Sequence, residues 1–217
     1  MEREAFLSRV GRATLTSLLP DSPSVPAELP EMEPVDVIAQ FRVNAQVANA
    51  VVHGPVSRHG VPRTVASIAA GHGARRFMSW DDLPVPGVGS ALSATGMERL
   101  GHETPVSGRL EHNLGFLHAE VGVTGALAGL AESGSIVLSH GPGRPRMASL
   151  IPEIHIALLD VSTIARTMAH WAHENPHSAA NTTNLVFVTG PSRTGDIELE
   201  LNLGVHGPRH VHVVMMR

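Results

Sequence analysis

Cysteine and tyrosine are both absent from this chain of 217 residues, and aromatic residues make up only 3% of it. Without cysteine the chain can form no disulfide, no thiolate-bound iron–sulfur cluster, no cysteine-based zinc site and no cysteine nucleophile. Few aromatic side chains leave few surfaces on which single-stranded nucleic acid could stack. The net charge of −4 also lacks the basic excess of nucleic-acid binders. We therefore expect no nucleic-acid partner.

Long apolar runs are missing too. No stretch approaches the 18 or so apolar residues that a membrane-spanning helix needs. The first twelve residues, MEREAFLSRVGR, mix both charges and lack the apolar segment of a signal peptide. These absences predict a cytoplasmic protein with no membrane span. At 42% hydrophobic residues, a chain of this length can bury a substantial core.

The distribution of proline divides the chain into two parts of unequal size. Residues 2–19 carry a partial apolar stripe and are predicted to form one short helix. Residues 20–34 then hold five prolines and four acidic residues, a composition that excludes a regular helix and indicates an extended linker. We predict an N-terminal helix with a proline-rich linker over residues 1–34 and an α/β domain over residues 35–217.

Hydrophobic periodicity assigns the elements of that domain. The helices are predicted at residues 36–52, 61–70 and 124–132, with a fourth whose buried stripe is Val161, Ile164, Met168 and Trp171. The strands are predicted at residues 75–80, 88–95, 120–125, 135–139, 154–160, 184–190 and 211–215. Strands that alternate with helices are typical of an α/β fold, so we expect a mostly parallel sheet with helices on both faces.

The loop over residues 189–208 is the main candidate for binding a ligand. Gly190 and Pro191 turn the chain sharply after a predicted strand, and Ser192, Arg193 and Thr194 then supply hydroxyl groups and a guanidinium. Such donors suit a carboxylate or a phosphate, and ligands of parallel sheets bind at the carboxyl ends of strands. Alternatively, Arg193 pairs with Asp196 or Glu198 and only holds the loop together.

Candidate catalytic residues lie in and beside this loop. Asp196, Glu198 and Glu200 share one face of an alternating stretch, where paired carboxylates can act as acid and base; the alternative, which we favour, is a solvated strand face. His206 stands beside Gly207 in a tight turn and is a candidate base or ligand donor, or a residue that fixes the turn.

Two further candidates lie upstream. Arg144 and Arg146 occupy a proline- and glycine-rich loop and form either a second anion contact or a solvated basic loop. Glu132, at a predicted helix end, is either a nucleophile or base, or else a cap or surface residue.

Fourteen histidines raise the question of a metal site. His170, His173 and His177 are grouped on or near one predicted helix, and His210 and His212 share one face of the last strand. No HExxH motif and no cluster of aspartates completes either group, so we predict no metal site. The glycines do not form a GxGxxG motif after a strand, so a dinucleotide site is not indicated either.

Three ordered segments resemble a known family. The segments VGVTGALAGLAESGSIVLS, GRPRMASLIPEIHIALL and TGPSRTGDIELELNLGVHGP are similar to the signatures of LUD domains, whose last motif usually reads GPSRTADIE followed by GVHGP. The one departure in that motif is Gly195, where alanine is usual. The resemblance covers roughly residues 115–216. In its size and its lack of cysteine, the protein resembles the lactate utilization protein C (LutC, YkgG-like) family.

The resemblance implies a fold akin to the NagB, RpiA and CoA-transferase group. It also implies a non-redox role in an iron–sulfur-dependent system that oxidises L-lactate to pyruvate, with the clusters in partner subunits and no cofactor in this chain. The alternative is a free-standing enzyme of the CoA-transferase or sugar-phosphate isomerase kind. In that case Glu132 would be the nucleophile or base and the loop at residues 190–194 would hold the anion.

Overall fold

The structure is a computed structural model that describes residues 3–16, 35–101, 117–195, 201–204 and 206–217. The chain divides into two compact units, Met1–Met32 and Glu33–Arg217. In the first unit, helix α1 spans Arg3–Thr16 and leaves Phe6, Leu7 and Val10 exposed. No described helix has the length and apolar character needed to cross a bilayer.

The second unit alternates helices and strands. Its helices are α2 (Val37–Val47), α3 (Val61–Gly71), α4 (Val88–Ala94), α5 (Met147–Leu150) and α6 (Met168–Glu174). The first six strands are β1 (Val51–Val56), β2 (Arg76–Ser79), β3 (Glu98–Arg99), β4 (Val121–Gly125), β5 (Ala128–Leu130) and β6 (Ser135–His140). The others are β7 (Ile154–Asp160), β8 (Ile164–Ala165), β9 (Asn184–Val188), β10 (Arg193–Gly195), β11 (Leu201–Leu203) and β12 (His210–Met216).

Six strands form one parallel sheet in the order β1-β12-β7-β4-β2-β3. β7 and β12 are interior strands of this sheet and are buried along most of their length, because both of their faces are covered. This architecture confirms the predicted α/β class with a mostly parallel sheet. Its likeness to the NagB and RpiA group stays a prediction.

The two faces of the parallel sheet build two cores. On one face, Val65 of α3 and Leu92 of α4 pack with Ile156 and Val214 of the central strands. On the other face, Phe41 of α2 packs with Leu159, Met215 and strand β6. The alternation of buried residues along β7 and β12 therefore divides their side chains between two layers.

The second layer contains a smaller sheet of four strands, in the order β8-β5-β6-β9. β6 pairs antiparallel with both β5 and β9, whereas β5 pairs parallel with β8. Strand β9 therefore belongs to this sheet and not to the parallel one. A separate antiparallel hairpin joins β10 to β11.

Two predicted elements in the first half are wrong. The helix predicted at residues 36–52 ends at Val47, and Asn49 turns the chain with a φ of 65° before β1 begins. β1 is an edge strand, where Pro55 is tolerated, and Arg42 donates to the outward carbonyls of Val52 and Gly54. The strand predicted at residues 88–95 is helix α4, whose buried Val88 and Leu92 are four residues apart.

Two predicted helices in the second half are also wrong. Residues 124–132 form the end of β4, strand β5 and a turn, because β5 lies tightly against the core: a Cβ on Gly129 would be 3.0 Å from Leu159 and from Phe41. The stripe predicted from Val161 to Trp171 is divided between a 3-10 turn, strand β8 and helix α6. Trp171 is buried as predicted, but Met168 is exposed.

Candidate functional site

The predicted ligand loop after β9 lies at the amino ends of the parallel strands. Ser192 N donates to Pro208 O at 3.0 Å, and Pro208 stands two residues before β12 begins. Gly190, with a φ of 71°, packs against the carbonyl of Ala48, just ahead of β1. The sequence placed this loop at the opposite edge, because β9 was predicted to belong to the parallel sheet.

Several polar groups of this loop form hydrogen bonds with other residues of the same loop. Ser192 O accepts from Gly204 N at 3.0 Å, and Ser192 Oγ accepts from His206 N at 3.3 Å. Arg193 is paired with Leu203 across the β10–β11 hairpin, and its side chain is exposed. Anion binding by this loop stays a prediction for the residues that it concerned: Gly190, Ser192, Arg193, Thr194 and Gly207.

Two of the four predicted catalytic residues, Glu132 and His206, lie in the part of the chain that the structure describes, and they belong to different loops. Glu132 Oε1 accepts from Met168 N at 2.7 Å and so holds the first residue of α6, which is the work of a cap. His206 is exposed in the loop at the amino edge. Asp196 and Glu198 lie outside the described residues. The catalytic roles of all four residues stay predictions.

Arg144 and Arg146 belong to a loop docked on the carboxyl end of β2. Asp81 N donates to Gly143 O at 2.9 Å, and Trp80 Nε1 donates to Pro145 O at 3.2 Å. Arg144 Nε lies 3.5 Å from Asp82 Oδ2 and lines a cleft of about 360 Å³. Arg146 O accepts from Ser149 Oγ at the start of α5.

The carboxyl ends of the outer and central strands meet in an ion pair. Arg58, two residues past β1, pairs with Asp160 at the end of β7, and Arg58 Nη1 donates to Pro84 O at 3.2 Å. Asp160 Oδ1 accepts from Ser162 Oγ at 2.7 Å and from Ser162 N at 2.9 Å. The Ser162 hydroxyl, its N–H and Arg58 together lower the pKa of Asp160, against the opposing effect of burial. Asp160 is therefore a carboxylate at neutral pH.

Two clefts open at this carboxyl edge. One, of about 810 Å³, is lined by Trp80, by the segment Val85–Ser90 and by Asp81 and Arg99, whose side chains form an ion pair at 3.0 Å. The other, of about 650 Å³, shares residues 85–87 with the first. The carboxyl edge of a parallel sheet is the usual position of ligand sites in this fold class, so these clefts are the primary candidates.

The 650 Å³ cleft has the character of an anion site. Arg58, His59 and Arg63 line it together with the apolar side chains of Pro62, Val85 and Ala91, and none of the described residues in its lining carries a carboxylate. Because Asp160 offsets one guanidinium, the surroundings keep at least one positive charge in excess. Such a cleft can bind a small carboxylate through a guanidinium while its apolar wall excludes water. We call it the carboxyl-edge cleft.

Sequence reasoning missed the residues of this cleft. Arg58 and Arg63 were not singled out because residues 51–52 were placed in a helix, so neither arginine was seen to follow a strand. Asp160 ends β7, and its side chain caps the 3-10 turn that follows by accepting from Ser162 N. The missed signal was the valine pair at residues 51–52 followed by a turn and two basic residues.

Comparison with known proteins identifies relatives over most of the chain. The model of the LUD domain family matches residues 38–216. Proteins named lactate utilization protein C are 42% identical over 94 residues in Halalkalibacterium halodurans and 33% identical over 162 residues in a Geobacillus species. These alignments cover 42% and 67% of this chain, and the chain spans 41% and 64% of the two relatives.

A third protein of that name, from Deinococcus radiodurans, is 28% identical over 212 residues, which is 97% of this chain and 93% of the relative. Among solved structures, a DUF162 family protein from the same organism matches with a TM-score of 0.65 and 24% identity. That match covers 85% of this chain and all of the other, and it supports the fold described above.

Proposed function

This chain belongs to the LUD domain family, and on that premise we propose that it serves lactate utilization as a subunit that binds a small carboxylate. The names of its relatives support a role in lactate utilization. The observation that carries the proposal is the carboxyl-edge cleft, where Arg58, His59 and Arg63 surround an apolar pocket and no carboxylate lies among the lining residues within the described ranges. Its volume of about 650 Å³ is ample for lactate.

The division of labour follows from the chemistry of the substrate. Conversion of L-lactate to pyruvate removes two electrons and two protons, so it needs an electron acceptor. The residues of this chain include no thiolate that could hold an iron–sulfur cluster. We propose that partner subunits hold the clusters and receive the electrons, while this chain contributes the carboxylate site.

Calorimetric titration with L-lactate and with pyruvate tests the site. We expect saturable binding that weakens about tenfold or more in Arg58→Ala and in Arg63→Ala, since one charge-assisted hydrogen bond contributes about 1.5–3 kcal/mol. Arg75→Ala, an exposed arginine at the amino edge, is the matched control and should bind as the unchanged protein does.

Arg193→Ala separates this proposal from the loop predicted by the sequence. If the carboxyl-edge cleft is the site, Arg193→Ala leaves lactate binding unchanged. Loss of binding in Arg193→Ala with full binding in Arg58→Ala and Arg63→Ala would move the site to the loop at residues 190–194. Thermal unfolding of each variant shows whether a loss of binding reflects a loss of folding.

The partnership is tested by size-exclusion chromatography under anaerobic conditions. We expect this chain to elute together with the iron–sulfur subunits of a lactate-oxidising system when they are mixed, with or without L-lactate. Separate elution of all components in both conditions would contradict the partnership. It would leave the carboxylate site to be judged by the titrations.

The free-standing transferase or isomerase remains the second candidate. It would use Glu132 as a nucleophile, yet Glu132 Oε1 already holds the amide of Met168. The same calorimeter with acyl-CoA and sugar phosphates tests it. If either ligand binds Glu132→Gln as tightly as it binds the unchanged protein, the ligand site does not require this nucleophile.

A further inference from the structure

Three histidine side chains form a continuous hydrogen-bonded chain beside the edge strand. His212 of β12 has its Nδ1 atom 3.0 Å from His53 Nε2 and its Nε2 atom 2.9 Å from His72 Nε2. His53 belongs to β1, and His72 directly follows α3. A fourth ring, that of His210, lies with its centroid 4.9 Å from that of His72.

The register of the sheet creates this arrangement. Val51 of β1 is paired with His212, so His53 stands two residues further along the same face. The three rings line a cleft of about 550 Å³ with Arg63, Thr64 and Ser67 of α3. His212 is 7% exposed, whereas His72 is exposed to solvent. We call this the histidine cleft.

A metal ion does not fit the rings as they lie. His212 presents a different nitrogen to each neighbour, so His53 and His72 approach it from opposite sides. Throughout the part of the chain that the structure describes, no three histidine or acidic side chains are arranged to hold a metal. Any function of this cluster must therefore come from the hydrogen bonds between the three imidazole rings.

A count of protons shows how many the three hydrogen-bonded histidines can hold while both inner hydrogen bonds remain. Each of the two N···N hydrogen bonds requires one proton, and a neutral chain of three imidazoles carries three. One proton therefore remains for the two outer nitrogens, Nδ1 of His53 and Nδ1 of His72, so one end donates and the other accepts. A fourth proton makes both ends donors and gives the chain one positive charge, while a fifth would break an inner bond.

The surroundings keep the neutral form at neutral pH. Burial, followed by the neighbouring rings of His53, His72, His210 and His155, lowers the pKa of His212 to about 4. Burial and then Arg42 lower the pKa of His53. Burial and His210 lower the pKa of His72, with Glu153 opposing them. Arg63 adds a further positive charge to the lining.

We propose that the histidine cleft is a binding site for a small oxyanion, carboxylate or tetrahedral, whose binding is coupled to the uptake of one proton. The anion supplies the negative charge that the cleft lacks. The fourth proton then turns both ends of the chain into donors, while Arg63, Thr64 and Ser67 complete the lining. This site shares Arg63 with the carboxyl-edge cleft, but it is centred on the histidine rings and does not depend on the proposed lactate role.

Calorimetry with sulfate, whose charge does not change in this range, tests the proposal on the full chain. Titrations in two buffers of different ionisation enthalpy report the number of protons taken up. We expect the uptake of close to one proton per sulfate. Because the pKa values of the three histidines are lowered, the affinity for sulfate should fall about tenfold per unit of pH between about pH 6.5 and 8. Acetate in place of sulfate shows whether a planar carboxylate is also accepted.

Variants identify the rings that take part. His72→Gln keeps a hydrogen-bond donor but cannot take a proton, so sulfate should bind about tenfold more weakly at pH 6.5. His53→Gln should behave in the same way. His173→Gln changes an exposed histidine of α6 and should match the unchanged protein.

Three results would overturn the proposal: no saturable binding of sulfate or acetate, binding without proton uptake, or equal binding in His72→Gln. Arg58→Ala separates it from the proposed function, because that change should weaken lactate at the carboxyl-edge cleft and leave sulfate binding intact. Unfolding midpoints of the histidine variants show that a lost signal reflects the site and not the fold.

Discussion

Single residues carry much of the close packing in this molecule, and Gly190 is the clearest case. It has a φ of 71°, and a Cβ at this position would lie 1.9 Å from the carbonyl oxygen of Ala48. We expect Gly190→Ala to lower the free energy of unfolding by about 3 kcal/mol or more, since the left-handed conformation and the backbone clash add together. Urea denaturation measures this change.

Gly73→Ala is the matched control for that measurement. Gly73 has nearly the same φ, 69°, but a Cβ there would meet nothing within 4 Å. Only the conformational cost should remain, about 1 kcal/mol. Equal losses in the two variants would contradict the close contact between residue 190 and Ala48.

The carboxylate of Asp160 should contribute stability that depends on pH. Its pKa is lowered in the folded state, first by the Ser162 hydroxyl and further by the Ser162 N–H and Arg58. A lowered pKa stabilises the fold above the unfolded value of about 3.9 and loses this effect as the pH falls through the folded value. We expect Asp160→Asn to cost about 1 kcal/mol at neutral pH, with the difference vanishing as the pH falls through the lowered pKa of the folded state.

Denaturation of both proteins across this pH range checks the prediction. Asp82→Asn serves as the control, because its carboxylate is largely exposed and lies 3.5 Å from Arg144. The interpretation fails if Asp160→Asn loses the same stability in acid as at neutral pH.

At the scale of elements, Glu132 forms a hydrogen bond at the start of helix α6. Its carboxylate accepts from Met168 N, and Thr167 Oγ accepts from His170 N, so two side chains cap the first turn. We expect Glu132→Ala to cost about 1 kcal/mol, whereas Glu132→Gln should cost less because it keeps an acceptor. Thermal unfolding measures both.

Ligand binding by the same two variants distinguishes a cap from a nucleophile. A cap predicts that lactate titrations are unchanged in Glu132→Gln. If Glu132→Gln abolishes a measured transferase or isomerase activity while stability is retained, the catalytic prediction is correct and capping is secondary.

Elements with strong local patterns were predictable, and elements set by packing were not. Helix α3 and strands β6, β7 and β12 agree with their periodicity to within a residue or two. Strand β5 was predicted as a helix because its small residues favour no structure strongly; its contacts with β6 and the core decide its conformation. The same explanation covers α4, which is short and rich in glycine, serine and alanine.

At the scale of the whole molecule, the buried residues of the three hydrophobic clusters within the described ranges run from Phe41 onward, with Val37 and Ile38 packed against one of them. A chain that begins at Glu33 keeps every one of these residues. We expect it to unfold cooperatively, with a well-defined midpoint by circular dichroism. A broad transition without a midpoint would show that residues 1–32 are required for the fold.

The order of the strands decides where chemistry can occur. It brings Arg58 against Asp160 across 102 positions of sequence, and His53 against His212 across 159. Neither pair was predicted. The carboxyl-edge cleft and the histidine cleft both depend on β1 being the strand next to β12.

The amino-acid sequence alone determined the α/β class, the absence of thiolate chemistry and the family, because composition, periodicity and ordered motifs are local properties. Only the tertiary structure decided that β9 leaves the parallel sheet, that its loop lies at the amino edge, and which charged side chains meet at the other edge. The physical reason is that local periodicity specifies which face of an element is buried. The neighbour that buries it is selected by the summed packing of distant segments.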